Sequence, residues 1–251
     1  MKGNGSQSTI LRQPWFAAVL LVALAPALHA VATWDLDGRL SSAAYALRHY
    51  SYVIVVVEIC VTWLALRNNM SVSHVFRELP KGVKMLLALW LVFSLAALFS
   101  TTTGFSNAVF TLARYIIHGL FLISMIHLLK AATHMDKRVW LEILSAGTVI
   151  YIIILVIFCM LVPKPDDFPW VFRLPSATNI RQIANNAGML AIAPIALLLA
   201  VNRRYFFRYA MALMIVLSFA TWTGSRATLL GLVIGILSGI AFVRKFTSIK
   251  N

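Results

Sequence analysis

The sequence predicts an all-α integral membrane protein of about eight transmembrane helices, with both termini in the cytoplasm. Three observations lead there. Of 251 residues, 61% are hydrophobic and only 12% charged, and the mean hydropathy is +0.85. A water-soluble domain of this length needs far more polar surface. The apolar residues come in runs close to the roughly 20 that a helix needs to cross hydrocarbon. Basic residues fall in small groups between those runs, alternately rich and poor along the chain.

The runs cover residues 15–33, 51–66, 85–100, 108–129, 140–162, 180–201, 206–222 and 227–243. The second and third are short for a span. No repeat, low-complexity segment or soluble domain interrupts them, so residues 1–251 read as a single transmembrane helical domain. Lys2 and Arg12 precede the first run, and Ala25-Pro26-Ala27 resembles a signal-peptide cleavage site. Under either reading the second span starts outside.

Orientation follows from the loops. One side collects Lys2, Arg12, Arg67, Arg77, Lys81, Lys84, Lys130, Lys137, Arg138, Arg203, Arg204, Arg208, Arg244, Lys245 and Lys250. The other has only Arg39, Arg48, Lys164, Arg173, Arg181 and Arg226. The richer side is cytoplasmic. This distribution also explains the net charge of +14 without nucleic acid, because no single basic face is formed. Grouped cations beside spans set orientation and meet anionic membrane lipids. Trp34, Trp140, Trp170 and Trp222 fall near span ends, as in an aromatic belt.

Cys60 and Cys159 each lie inside an apolar run, and no CxxC or HExxH spacing occurs. They read as packed thiols, and no metal or cofactor is expected. His29, His118 and His127 lie in spans and read as neutral core histidines. His49 is the remaining histidine on the outer side.

Three features exceed what a plain bundle needs. Glu58 sits inside the second run and Arg114 inside the fourth. Both spans run inward from the outer face, which puts the two residues roughly 10 Å deep at 1.5 Å per residue. An intramembrane ion pair is the expectation, with helix packing or an anion site as its role. Arg114 also has the reach to snorkel to the interface. The outer loop after the fifth run holds Pro163, Pro165, Pro169 and Pro175, which exclude a regular helix. It also carries Phe168, Trp170, Phe172, Lys164 and Arg173. Thr178 or Asn179 can cap the next helix, placing Arg181 and Asn185 one turn apart with Asn186 adjacent. The third feature is Thr223-Gly224-Ser225-Arg226-Ala227, where Arg226 opens the eighth span. An arginine at a helix N-terminus suits a phosphate, and interfacial anchoring explains it equally well.

The stretch from Thr223 through Arg226 to Leu230 resembles the O-antigen ligase and polymerase superfamily, whose members carry a Ser-Arg pair opening an apolar helix. Ala227 stands where those proteins usually have Gly. Arg181-Gln182-Ile183-Ala184-Asn185-Asn186-Ala187-Gly188 is similar to the family's Arg-to-Asn stretch before another span. Together the motifs cover under thirty residues.

The resemblance implies a multi-pass glycosyltransferase of the bacterial inner membrane with a periplasmic active face. Such proteins move a glycan from undecaprenyl diphosphate to the lipid A core or to another acceptor. Neither a nucleotide sugar nor a metal is needed. Arginines stabilise the diphosphate leaving group. On this chain the implied diphosphate contacts are Arg226 and Arg181, then Arg173 and Arg114, with Asn185 and Asn186 orienting sugar or diphosphate. Family members also carry a large periplasmic loop with a proposed histidine base after the Ser-Arg helix. This chain ends at Asn251 soon after the eighth run, so the resemblance implies an N-terminal portion, incomplete or inactive by itself, and the catalytic base is not assigned. Two competing readings are a transporter or flippase of an anionic lipid or solute, suggested by Glu58 and Arg114, and a non-catalytic remnant or scaffold.

Overall fold

A computed structural model describes residues 13–34, 51–100, 105–130, 134–171, 173–175, 179–180, 183, 186, 188, 191–200, 205–224, 226 and 228–237. Every regular element among them is helical. The helices are α1 (Pro14–Ala32), α2 (Tyr52–Arg67), α3 (Val72–Glu78), α4 (Lys81–Ser100), α5 (Phe105–Lys130), α6 (His134–Met160), α7 (Ile192–Ala200), α8 (Phe206–Trp222) and α9 (Thr228–Leu237). A 3-10 turn, Pro165–Asp167, follows α6.

Among the described residues, Pro14–Ala32, Val109–Lys130 and Arg138–Met160 are each long and apolar enough to cross a membrane. Joined as one bent span, α2 and α3 make a fourth, with 92° between them. Among the described residues the chain is therefore all-α, with three or four helices long and apolar enough to span a membrane. α8 and α9 are apolar but shorter.

Two expected boundaries shift for identifiable reasons. The connection after the second run contains α3, and α4 starts at Lys81 rather than 85. Met70 and Leu79 are buried at the two ends of α3, so its hydrophobic residues hold the turn down. The sixth run is not one helix over its described part. Ala191 is a turn residue and α7 restarts at Ile192. Pro194 explains this: its ring has no N–H and clashes with the carbonyl four residues back, but it is tolerated in a first turn.

The chain divides into two compact units. Unit 1 comprises Met1–Leu21 and Ile54–Thr133; unit 2 comprises Val22–Val53 and His134–Asn251. The division passes through α1 at Val22, the carbonyl that Pro26 leaves without its helical N–H. Within unit 1, α5 packs on α4 and α3. Trp90 stands edge-on to Tyr115 at 5.5 Å, and Lys130 meets Glu78 at 2.7 Å.

Within unit 2, α6 packs on α7 and α8, which also pack on each other. The core joins Ala27 and Ala30 of α1, Tyr151, Ile152, Leu155 and Phe158 of α6, the intervening Leu174, Ile183 and Ala191, then Val216, Phe219 and Ala220 of α8, and Leu232 of α9. A Cβ placed on Gly147 would lie 2.8 Å from the Cβ of Ala23, so the α1 and α6 backbones meet there. Eleven residues further along each segment, Trp34, just past the end of α1, packs on Phe158 of α6 at 5.6 Å. The two helices thus run parallel and in register. Small residues at such a crossing permit the close approach that drives helix association in lipid.

Gly147→Leu should overpack this crossing and destabilise the detergent-solubilised protein by about 1–3 kcal/mol. Gly119→Ala, where a Cβ meets nothing within 4 Å, should be neutral or stabilise by up to about 1 kcal/mol. Thermal unfolding of the two variants checks both outcomes.

Candidate functional site

The C-terminal ends of α6 and α8 lie at the same end of unit 2. Val156, Cys159 and Met160 of α6, Trp170 and Leu174 of the following loop, Ile180, and Trp222 of α8 line a groove of about 640 Å³ there. Its walls are mostly apolar, as the residue types require. The loop is held down by Leu174, which is 0% exposed, and by Phe168. Phe168 and Trp170 rings pack at 4.6 Å, and Trp170 Nε1 donates to the Pro165 carbonyl at 2.6 Å. The four prolines block a helix, so side chains and single turns replace the helical ladder.

Arginines border this groove in the chain. Arg173 precedes Leu174, Arg181 follows Ile180, and Arg226 comes four residues after Trp222. The Arg173 guanidinium lies over the Phe168 ring at 5.1 Å. Arg226 is exposed, just beyond Gly224, whose φ of 66° turns the chain from α8 toward α9. Thr223 is buried and its hydroxyl donates to the Ala220 carbonyl at 2.8 Å, closing the end of α8. A Cβ on Gly188 would meet the Thr228 methyl at 2.6 Å. The end of the Arg181–Gly188 stretch therefore packs on the start of α9, directly after Arg226. Asn186 is exposed. Arg181 and Asn185 lie outside the described residues, as do Phe172, Thr178, Ser225, Ala227 and His49. Such a groove suits an apolar chain.

Unit 1 holds a separate polar cluster. Glu58 on α2 is 7% exposed, and its Oε2 pairs with Nδ1 of His118 on α5 at 2.5 Å. Further along, the Asn68 carbonyl meets His127 Nε2 at 3.3 Å, so α2 and α5 run parallel. Arg114 stands one turn before His118. It acts on the Glu58 carboxylate through space without a direct ion pair, and its buried Nε has no hydrogen-bond partner among the described residues. Counting depth from a common edge does not locate the partner. Glu58 is six residues into α2, about 9 Å, whereas His118 is thirteen into α5, about 20 Å. The carboxylate of Glu58 therefore meets the imidazole rather than the guanidinium. The signal for His118 was its position four residues after Arg114, on the same helix face.

At the other end of unit 2, Glu142 of α6 accepts hydrogen bonds from the Tyr209 hydroxyl of α8 and from Arg138 Nε at 3.1 Å. Apolar patterning does not single out Glu142, although the Arg138–Glu142 spacing of four is a helix-pair signal. Among the described residues, no group of three His, Cys, Asp or Glu side chains could hold a metal ion.

No family model, curated protein or solved structure matches the chain.

His118→Leu should leave the Glu58 carboxylate buried without its partner and lower stability by about 1–3 kcal/mol. The double variant Glu58→Leu/His118→Leu should recover most of that loss, because no polar group is then stranded. Unfolding of the single and double variants in the same detergent measures the difference.

Proposed function

We propose that this chain is the membrane part of a lipid-linked glycan transferase of the O-antigen ligase type. It lies in the bacterial inner membrane with eight spans, both ends cytoplasmic and the working face periplasmic. It accepts a glycan on undecaprenyl diphosphate and passes it to the lipid A core or to another acceptor.

The observation that carries this reading is the apolar groove of about 640 Å³ whose lining residues Leu174, Ile180 and Trp222 neighbour Arg173, Arg181 and Arg226. A polyprenyl tail fits the apolar walls, and guanidinium groups adjoining the lining residues in the chain are the chemistry a diphosphate needs. The parallel run of α1, α6 and α8 in unit 2, and of α2 and α5 in unit 1, is what an alternating topology asks of the odd-numbered and even-numbered spans. In the transfer itself, an acceptor hydroxyl oxygen bonds to the anomeric carbon. The bond from that carbon to the diphosphate oxygen breaks, and the leaving oxygen keeps the electron pair. Arg226, Arg181 and Arg173 stabilise the charge developing there, and Asn185 and Asn186 orient the sugar or the diphosphate. The acceptor proton passes to a base.

Binding of undecaprenyl diphosphate to the purified chain tests the reading. Arg226→Ala and Arg173→Ala should each weaken binding by about tenfold or more, the loss expected for a charged hydrogen bond. Trp222→Ala should also weaken it, through the tail. Unchanged affinity in all three variants would reject the site.

A second reading, a transporter or flippase of an anionic lipid or solute, is favoured by the Glu58–His118 pair and the adjacent Arg114 in unit 1. It requires substrate movement in proteoliposomes that Glu58→Gln abolishes.

A further inference from the structure

A second groove, of about 320 Å³, lies between the middle of α6 and the first half of α8, on the side of unit 2 away from the first. Its floor is apolar: Ala146, Val149 and Ile150 from α6, with Ala212 and Ile215 from α8. Its polar rim contains Glu142, Arg208 and Tyr209. From Glu142 to Ile150 the floor runs eight residues, about 12 Å along the helix.

The charges of the rim do not cancel. Glu142 is committed to Arg138 and to Tyr209, which is only 2% exposed. A terminal nitrogen of Arg138 also donates to the Tyr209 oxygen at 3.3 Å, and its guanidinium covers the Tyr205 ring at 4.6 Å. That network neutralises one negative with one positive charge and holds both in place. Arg208 is exposed on the rim and makes no ion pair with any described residue. One net positive charge therefore faces the mouth of an apolar trough that leads toward the middle of the helices.

We infer that this groove binds one anionic phospholipid. Its phosphate lies against Arg208 and one acyl chain lies along Ala146, Val149 and Ile150. The sign of the rim charge selects an anionic lipid over a zwitterionic one, because a cationic headgroup would bring a positive charge back to Arg208. An apolar helix from a second protein would cover the floor but strand the arginine. In the proposed topology this is the cytoplasmic leaflet, away from the glycan-bearing groove, so the site does not depend on the transfer reading.

The test uses the full chain purified in a nonionic detergent and titrated with dioleoyl phosphatidylglycerol, with native mass spectrometry counting the bound lipid. One molecule should be retained saturably, and dioleoyl phosphatidylcholine should not displace it. Arg208→Gln should weaken retention about fivefold, the usual contribution of one basic residue near an anionic headgroup. Ala146→Trp, at an exposed position, should abolish it while leaving every charge intact. Arg77→Gln removes an exposed cation from unit 1 and should leave retention unchanged. Equal retention by wild type, Arg208→Gln and Ala146→Trp would overturn the inference. So would equal retention of phosphatidylcholine, an equal loss in Arg77→Gln, or a lipid-free dimer that Ala146→Trp dissociates.

Discussion

The packing of α6 is the interaction on which unit 2 depends. Gly147 lets the α1 backbone approach until no β-carbon would fit between the helices, and the crossing is extended in register to Trp34 and Phe158. On its other sides α6 contacts α7 and α8. Tyr151, Leu155 and Phe158 share the core with Leu174 of the loop. Because lipid is as apolar as leucine, burial alone does not order these helices. Close van der Waals fit does, and small residues at the crossing permit it. The groove at the C-terminal ends of α6 and α8 follows from this arrangement. Leu174 is inserted into the core, so Trp170 and Ile180 are brought to the same end as Trp222.

Polar groups inside the apolar helices obey a second constraint. The buried or half-buried carboxylates there take a partner from a neighbouring helix. Glu58 takes His118, and Glu142 takes Tyr209 together with Arg138. Hydroxyls are satisfied within their own helices: Thr62, Ser94, Ser124, Thr148 and Thr221 each donate to the carbonyl four residues back. Arg208 differs, being exposed on the rim of one apolar groove of unit 2, and Arg226 is exposed four residues along the chain from Trp222, which lines the other. Cations held outside the internal network are the groups best placed to meet an anionic ligand.

The helical class and the long helices were legible in the sequence because hydropathy reports them directly. α1 begins at Pro14 against an expected 15, and α8 coincides with 206–222. Breaks inside apolar runs were less legible. Pro194 was read as part of a continuous span, although its steric demand four residues back accounts for the restart at Ile192. The partner of Glu58 was hidden for a geometric reason, since α2 and α5 do not begin flush and depth counted from the span edges lands a turn away. The loop of four prolines was recognised as irregular, but its fold depends on Leu174 and Phe168 reaching the core, which composition does not report.

The central claim is that the groove between the ends of α6 and α8 takes a lipid diphosphate. Photo-crosslinking with a polyprenyl diphosphate that carries a photoreactive group near its head tests it most directly, with the labelled peptides mapped by mass spectrometry. The account predicts label at Val156–Met160, at Trp170–Leu174 and beside Trp222, suppressed by excess unlabelled undecaprenyl diphosphate. Label confined to unit 1, or label that the competitor leaves unchanged, would contradict it.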